Sequence, residues 1–236
     1  MSTAFSDPSA DRLMDPANHP DDVALFMRHE REALGALAPR IDRLVEVGCM
    51  DGRYLELAVR HGARYVGVDL VTRHVEAARL RARGLGLDEP AVVFRQGDAQ
   101  RLGPTLSGLA GRPGGRDLVV LPFGLFGALP DVDEAAAGLA ELGWPFFLSL
   151  YRPTERMTAA RRQYYVRCGY DGIRVVRDHR GVWLTTAAGL RVAAYDTAFL
   201  RDLWLRHGLA VEAIELSPLN LLCVSAAVAG WMREEP

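Results

Sequence analysis

Between Arg43 and Leu150 the chain switches repeatedly between short apolar runs and longer amphipathic ones. This alternation limits the possible folds more than any single residue does. "RLVEV" (43–47), "RYVGV" (64–68), "AVVFRQ" (91–96), "DLVVLPF" (117–123) and "PFFLSL" (145–150) are rich in β-branched and aromatic residues and read as strands. The stretches between them, Gly52–His61, Arg73–Arg83 and Asp133–Leu142, carry helical spacing and end near glycines or a basic residue. Strands separated by helices cannot be joined as hairpins, so they run parallel with helices on both faces. Apolar residues make up 49% of the 236 residues, enough for one large core.

The first strand leads into "VEVGCMDGRY", a carboxylate followed by a glycine-containing turn and a helix. Such a turn serves several nucleotide-type cofactors. In a dinucleotide site the second glycine admits a pyrophosphate to the helix N-terminus. Here Met50 stands at that position, and Glu46 would repel a phosphate. A ligand with an ammonium, a sulfonium and no phosphate fits this turn better, and S-adenosylmethionine (SAM) is such a ligand. Asp69, ending the second strand, is placed to accept from ribose hydroxyls. Asp98 and Ala99, in "GDAQ" after the third strand, offer a carboxylate and a backbone N–H to an adenine ring. "PFGLFGAL" after the fourth strand brings Phe123 and Phe126 to the carboxyl edge of the sheet, where open α/β folds bind ligands.

These elements, in this order and spacing, resemble the class I SAM-dependent methyltransferases, over roughly residues 21–228. The resemblance implies a doubly wound, mostly parallel seven-stranded α/β sheet of order 3-2-1-4-5-7-6 with strand seven antiparallel. It implies SAM as cofactor, with Glu46 and the Gly48 loop at the methionine part, Asp69 at the ribose and Asp98–Ala99 at the adenine. The expected cofactor set is Glu46, Gly48, Cys49, Met50, Gly52, Asp69, Leu70, Asp98, Ala99, Pro122 and Phe123. The family's usual loop has glycine where Met50 stands.

The flanks carry the expectations about the acceptor. Residues 1–20 are polar, bear prolines and read as a flexible arm. Residues 21–236 form one domain, with 21–38 and 152–195 as covering elements. "DDVALFMRHEREALGAL" is an amphipathic helix with an acidic first turn. After the fifth strand, "TERMTAARRQYYVRCG" is helical, and 172–195 alternates as a β-hairpin or three-stranded meander with turns at Asp178–Gly181 and Ala187–Gly189. "VEAIELS" and "NLLCVSAAVA" close the sheet as strands. Phe126, Tyr151, Arg152 and Tyr164 are the expected substrate contacts, Arg152 as a clamp for a carboxylate. Tyr165 and His29 are the expected bases, and His19 or His29 enters the site if the N-terminal segment folds over it.

Composition excludes several classes. All 28 basic residues are arginine, so neither a lysine Schiff base nor a phosphate-loop lysine is available. That composition also suggests a GC-rich bacterial gene. A net charge of -2 argues against a nucleic-acid acceptor, and the apolar run near Leu221–Met232 is too short for a bilayer. Cys49, Cys168 and Cys223 are odd in number and widely spaced, which predicts a reducing cytoplasm and no disulfide framework. No histidine pair has metal-ligand spacing. The reading is a cytoplasmic methyltransferase of a small-molecule acceptor, monomeric or homodimeric. The alternatives are a SAM-using enzyme in which SAM attacks itself, giving a small ring and methylthioadenosine, a non-catalytic SAM-binding module, and, least favoured, an NAD-dependent oxidoreductase.

Overall fold

The five apolar runs all form strands, and the central ones are buried along their whole length, as parallel strands covered on both faces must be. A computed structural model describes residues 8–108 and 116–234 of the protein. In chain order the elements are α1 (Asp21–Leu37), β1 (Arg43–Val47), α2 (Leu55–Arg60), β2 (Arg64–Asp69), α3 (Thr72–Gly84), β3 (Val92–Gln96), α4 (Leu102–Leu106), β4 (Asp117–Leu121), α5 (Val132–Leu142) and β5 (Phe146–Tyr151). There follow α6 (Glu155–Arg167), β6 (Arg174–Asp178), β7 (Gly181–Thr185), β8 (Arg191–Tyr195), α7 (Thr197–Arg206), β9 (Val211–Glu215), β10 (Asn220–Ser225) and α8 (Ala226–Arg233).

The main sheet has seven strands in the order β3-β2-β1-β4-β5-β10-β9, with β10 antiparallel to both neighbours. This is the expected 3-2-1-4-5-7-6 arrangement. The expected insertion after the fifth strand is α6 and a separate three-stranded antiparallel sheet, β6-β7-β8. One core packs Val45, Val47, Val119 and Leu121 against α5 and α7. A second, on the opposite face, packs Leu44, Val120 and Phe147 against α1, α2, α3 and α8. A third joins α1, α6 and the small sheet, with Phe26, Met157, Tyr164 and Leu184 at its centre.

Three expectations require correction. In the segment expected to be a flexible arm, the described residues form 3-10 turns over Pro8–Met14 and Pro16–Asn18, with Ala10 and Leu13 buried in the third core. The helix expected from Gly52 begins only at Leu55, because Gly52, at φ +88°, is still part of the loop. The last apolar run is not one strand: β10 stops at Ser225 and α8 follows.

The small sheet is seated on the loop after β4 by a glycine. A methyl group at Gly127 would lie 2.2 Å from the Ala193 carbonyl oxygen of β8. No rotamer relieves a clash with backbone. Gly127→Ala is expected to lower the unfolding free energy by about 3 kcal/mol, the upper end for overpacking. Urea denaturation measures this, and an unchanged midpoint would mean that this contact does not hold the sheet in place.

Candidate active site

A cavity opens at the carboxyl ends of β1, β2 and β4, where the sheet order reverses direction between β1 and β4. Open α/β sheets bind ligands at this topological switch point. Gly48, Met50, Asp69 and Leu70 line one side, and Asp98, Ala99, Pro122 and Phe123 another. Another part of the lining is aromatic, a chamber of Phe123, Tyr151, Tyr164 and Tyr165. Leu13 and Met14 of the N-terminal turn also line the cavity.

Two non-glycine residues with left-handed backbone flank this cavity, Met50 (φ 50°) and Phe123 (φ 52°). Such conformations cost free energy and persist where their surroundings fix them. In both cases the fixing group is a carboxylate that accepts the residue's own N–H. Asp69 Oδ2 accepts from Met50 N at 2.9 Å, and Glu30 Oε2 accepts from Phe123 N at 2.6 Å. Met50 thus takes a glycine-like conformation without being glycine, and the loop keeps its turn.

Asp69 is nearly saturated. Its carboxylate accepts from Met50 N, from Val71 N at 2.9 Å and from His74 Nδ1 at 3.3 Å. A carboxylate has about four acceptor positions, which leaves room for one more hydrogen. His74 Nε2 reaches Asp11 of the N-terminal turn at 2.9 Å, and Arg73 also bonds Asp11. Both ring nitrogens can donate at once only in the imidazolium form. Accordingly the bonds to Asp69 and Asp11 raise the His74 pKa against the opposing effect of burial.

A second network lies behind Phe123. Glu30 of α1 is fully buried. It accepts from the Tyr54 hydroxyl and from Phe123 N, and it lies 3.9 Å from Arg53 Nη1. The Arg53 guanidinium sits 4.8 Å over the Phe123 ring.

Several expected residues lie outside the cavity. Glu46 does not line it, because strand alternation turns the side chain toward the helix face carrying α1 and α2. There its carboxylate accepts from Tyr54 N at the start of α2 and from the Tyr65 hydroxyl. Burial pushes its pKa up to about 7, against the pull of Arg53. Direct attraction between Glu46 and a cationic ligand is therefore not the feature that shapes the cavity. Cys49 is buried against Gly67, and burial pushes its thiol pKa up, so it fills space and is no nucleophile. Gly52 faces Leu55 and Phe94. Phe126 is a core residue 5.2 Å from Trp204. Arg152 points to the far side of β10, where it pairs with Glu215 at 3.0 Å. Arg161, fully buried and stacked 4.9 Å over Tyr151, is the arginine behind the chamber instead.

The two expected bases also change. His29 bonds Asn220 Oδ1 at 3.1 Å and faces a groove between α1 and α8, away from the chamber. Tyr165 does line the chamber, but burial raises its pKa, so at neutral pH it is a hydrogen-bond donor and not a base. Ala10, Leu13 and Met14 of the N-terminal segment line the cavity, while His19 of the same segment does not and packs behind the aromatic rings. The His19 ring lies 5.9 Å from Phe123 and 5.6 Å from Tyr164. Burial lowers its pKa. Its Nε2 donates to the Leu13 carbonyl at 3.1 Å, which leaves Nδ1 of the neutral ring an acceptor. Arg53, His74 and Glu30 were not anticipated from the sequence, nor were Leu13 and Met14 as the N-terminal residues that reach the cavity.

The cavity suits the adenosyl ligand in three respects. Leu70, Ala99 and Leu129 give apolar surface for a flat ring, Asp69 keeps one free acceptor position, and Arg53 has buried donors without partners. No helix among the described residues is long and apolar enough to cross a membrane.

Comparison with known proteins agrees with this geometry. Residues 45–110 match a family model described as a methyltransferase domain. A curated relative, the S-adenosyl-L-methionine-dependent Diels-Alderase iccD of Talaromyces variabilis, is 37% identical over 76 residues, 32% of this chain. The matched stretch spans about a quarter (26%) of that relative's length. The structure resembles magnesium protoporphyrin IX methyltransferase from Synechocystis PCC 6803 with bound SAH, with TM-score 0.60, 15% identity and coverage of 95% of this chain and 98% of that one. It also resembles the Burkholderia thailandensis 1,6-didemethyltoxoflavin-N1-methyltransferase, with TM-score 0.56, 15% identity and coverage of 94% and 84%. These two likenesses establish the fold. This strand order is the fold of the class I, Rossmann-like SAM-dependent methyltransferases, and the first three strands match a methyltransferase domain, which points to SAM as the cofactor.

Proposed function

We propose that the protein transfers the methyl group of SAM to a nucleophilic atom of a small-molecule acceptor. The observation that carries this reading is a single cavity with two halves. One half offers Asp69 and an apolar strip, and the other is an aromatic chamber. When bound, SAM supplies a methyl group already activated on a sulfonium. The work left to the chain is to orient, to desolvate and to accept a proton where the acceptor carries one.

In this reading Asp69 orients the ribose, while Leu70, Asp98 and Ala99 hold the adenine. Gly48, Met50, Pro122 and Phe123 border the methionine part. The rings of Phe123, Tyr151, Tyr164 and Tyr165 exclude water from the reacting atoms, and their faces favour a nearby cation. Tyr164 already donates its hydroxyl to the Leu13 carbonyl, which ties the N-terminal turn down as a cover. His19, which packs on Phe123 and Tyr164 without itself lining the cavity, is the candidate proton acceptor of this cap for an acceptor that needs one. An acceptor that arrives as a free amine needs no such help.

One observation favours a second reading. The 37% identical relative is a SAM-dependent Diels-Alderase, so SAM in a related segment accompanies chemistry other than methyl transfer. One experiment separates these readings and the self-attack of SAM. The protein is incubated with SAM, with and without a library of amine, phenol and polyene metabolites, and products are followed by mass spectrometry. Methyl transfer predicts SAH formation that depends on an acceptor, with a product 14 mass units heavier, the mass of one CH₂. Methylthioadenosine released from SAM alone would sink it in favour of ring closure, and an isomeric product with SAM unconsumed would favour cycloaddition.

A further inference from the structure

Arg53 is nine-tenths buried, with 10% of its side chain exposed, and it lines the cavity. Its Nε and Nη1 are buried without a hydrogen-bond partner. Its Nη2 donates to the Met14 sulfur at 3.1 Å, and a thioether is a weak acceptor. The nearest carboxylate, Glu30, balances the charge from 3.9 Å, but its two oxygens are already engaged by Tyr54 and Phe123. The guanidinium is thus compensated in charge and unsatisfied in hydrogen bonding. A buried cation with unused donors is costly unless a ligand completes it.

The missing partner has a definite chemistry. A planar fork of donors matches a carboxylate, which can take two parallel hydrogen bonds. A dianionic phosphate would bring a second charge beside Glu30, so a single negative charge suits the site better. We propose that Arg53 is a carboxylate receptor: a ligand carboxylate displaces the Met14 sulfur and bonds Nη2 together with one of its unused neighbours. The carboxylate belongs either to the methionine part of the cofactor, in which case the inference rests on the SAM reading above, or to the acceptor.

Two arms of one calorimetric experiment tell these sources apart. In the first, SAH and its decarboxylated analogue are titrated into wild type, Arg53→Gln and Arg53→Lys. In the second, benzoate and hexanoate are compared with benzamide and hexanamide on SAH-saturated protein. Wild type is expected to prefer the carboxylate by about ten- to a hundredfold in one arm, the span of a charge-assisted hydrogen bond. Arg53→Gln should bring that ratio near one, and Arg53→Lys should leave an intermediate ratio, since it keeps the charge and loses the fork.

Preference in the first arm assigns the cofactor carboxylate, and preference in the second assigns the acceptor's. Wild-type ratios below about threefold in both arms, or a preference that survives in Arg53→Gln, would overturn the proposal. If Arg53→Gln does not fold, Met14→Ala decides: with the sulfur gone, the carboxylate ligand should bind more tightly, and unchanged or weaker binding would overturn the proposal. If wild type fails to bind SAH, the cofactor reading falls, and the benzoate arm on the ligand-free protein decides the role of Arg53.

Discussion

Glu30→Ala is expected to lower the unfolding free energy by about 3–5 kcal/mol, the loss typical of breaking a buried charged pair. The change leaves the Arg53 guanidinium without its nearest countercharge, and it removes the acceptor of both the Tyr54 hydroxyl and the Phe123 N–H. Phe123 then holds a left-handed backbone with nothing to fix it, so the loop bordering the cavity relaxes along with the loss of stability. Glu30→Gln keeps an oxygen for Phe123 N but loses the charge and the acceptor of the Tyr54 hydroxyl, so its cost should be smaller than that of alanine, about 1.5–3 kcal/mol. Urea denaturation of the ligand-free protein at pH 7 gives both values. A double-mutant cycle with Arg53→Met provides the sharper check. The pair should cost less than the sum of the single changes, because each single change strands a partner that the double change removes. Additive costs would mean that Glu30 and Arg53 do not sense each other.

The same glutamate marks how far the sequence could be read. Val23, Phe26, Leu34 and Leu37 form an apolar stripe along α1, and Glu30 falls inside it, four residues after Phe26 and four before Leu34. A carboxylate in a buried stripe is a visible signal, and spacing alone would have placed it in the interior. Its partners, Tyr54 and Phe123, lie 24 and 93 residues away, and no local pattern announces them. The strands were legible because full burial demands continuous apolar runs. The break between β10 and α8 was not, since a short apolar run reads alike in either conformation. Ser225, the residue at that break, has its hydroxyl engaged with Phe146 N and makes no cap bond to the helix it precedes. Strand alternation could have warned that Glu46 turns toward the helix face, because Leu44, two residues earlier, reads as core. The order of the N-terminal segment depends on its packing with α6 and α1, which composition cannot show.

Asp69→Ala should weaken SAH binding by at least a hundredfold, about 3 kcal/mol, the worth of one or two hydrogen bonds to a charged acceptor. Two effects act together. The change removes the acceptor proposed for the ribose, and it frees the N–H of Met50 that fixes the cofactor loop in its left-handed turn. Asp69→Asn should recover little, because an amide turned to accept from Met50 N presents its own N–H₂ toward Val71 N. Asp69 also connects this loss to pH. Its free capacity is one acceptor position, so a second ribose bond requires His74 to let go. The His74 pKa is raised above the ordinary imidazole value of 6.5 by its bonds to Asp69 and Asp11. In the ligand-free protein the stabilisation from this clasp is therefore fully present below about pH 6.5 and is lost as pH rises through the raised value. Binding that takes Asp69 away from His74 lowers the imidazole's pKa and releases a proton, so SAH affinity should rise over the same interval. His74→Ala should flatten that rise while keeping the affinity measured at high pH. Calorimetry between pH 6 and 8.5 in buffers of different ionisation heat reads both the affinity and the proton released. Asp69→Ala binding within threefold of wild type would remove Asp69 from the cofactor site, and an affinity independent of pH in wild type would show that the ribose leaves the His74 bond intact.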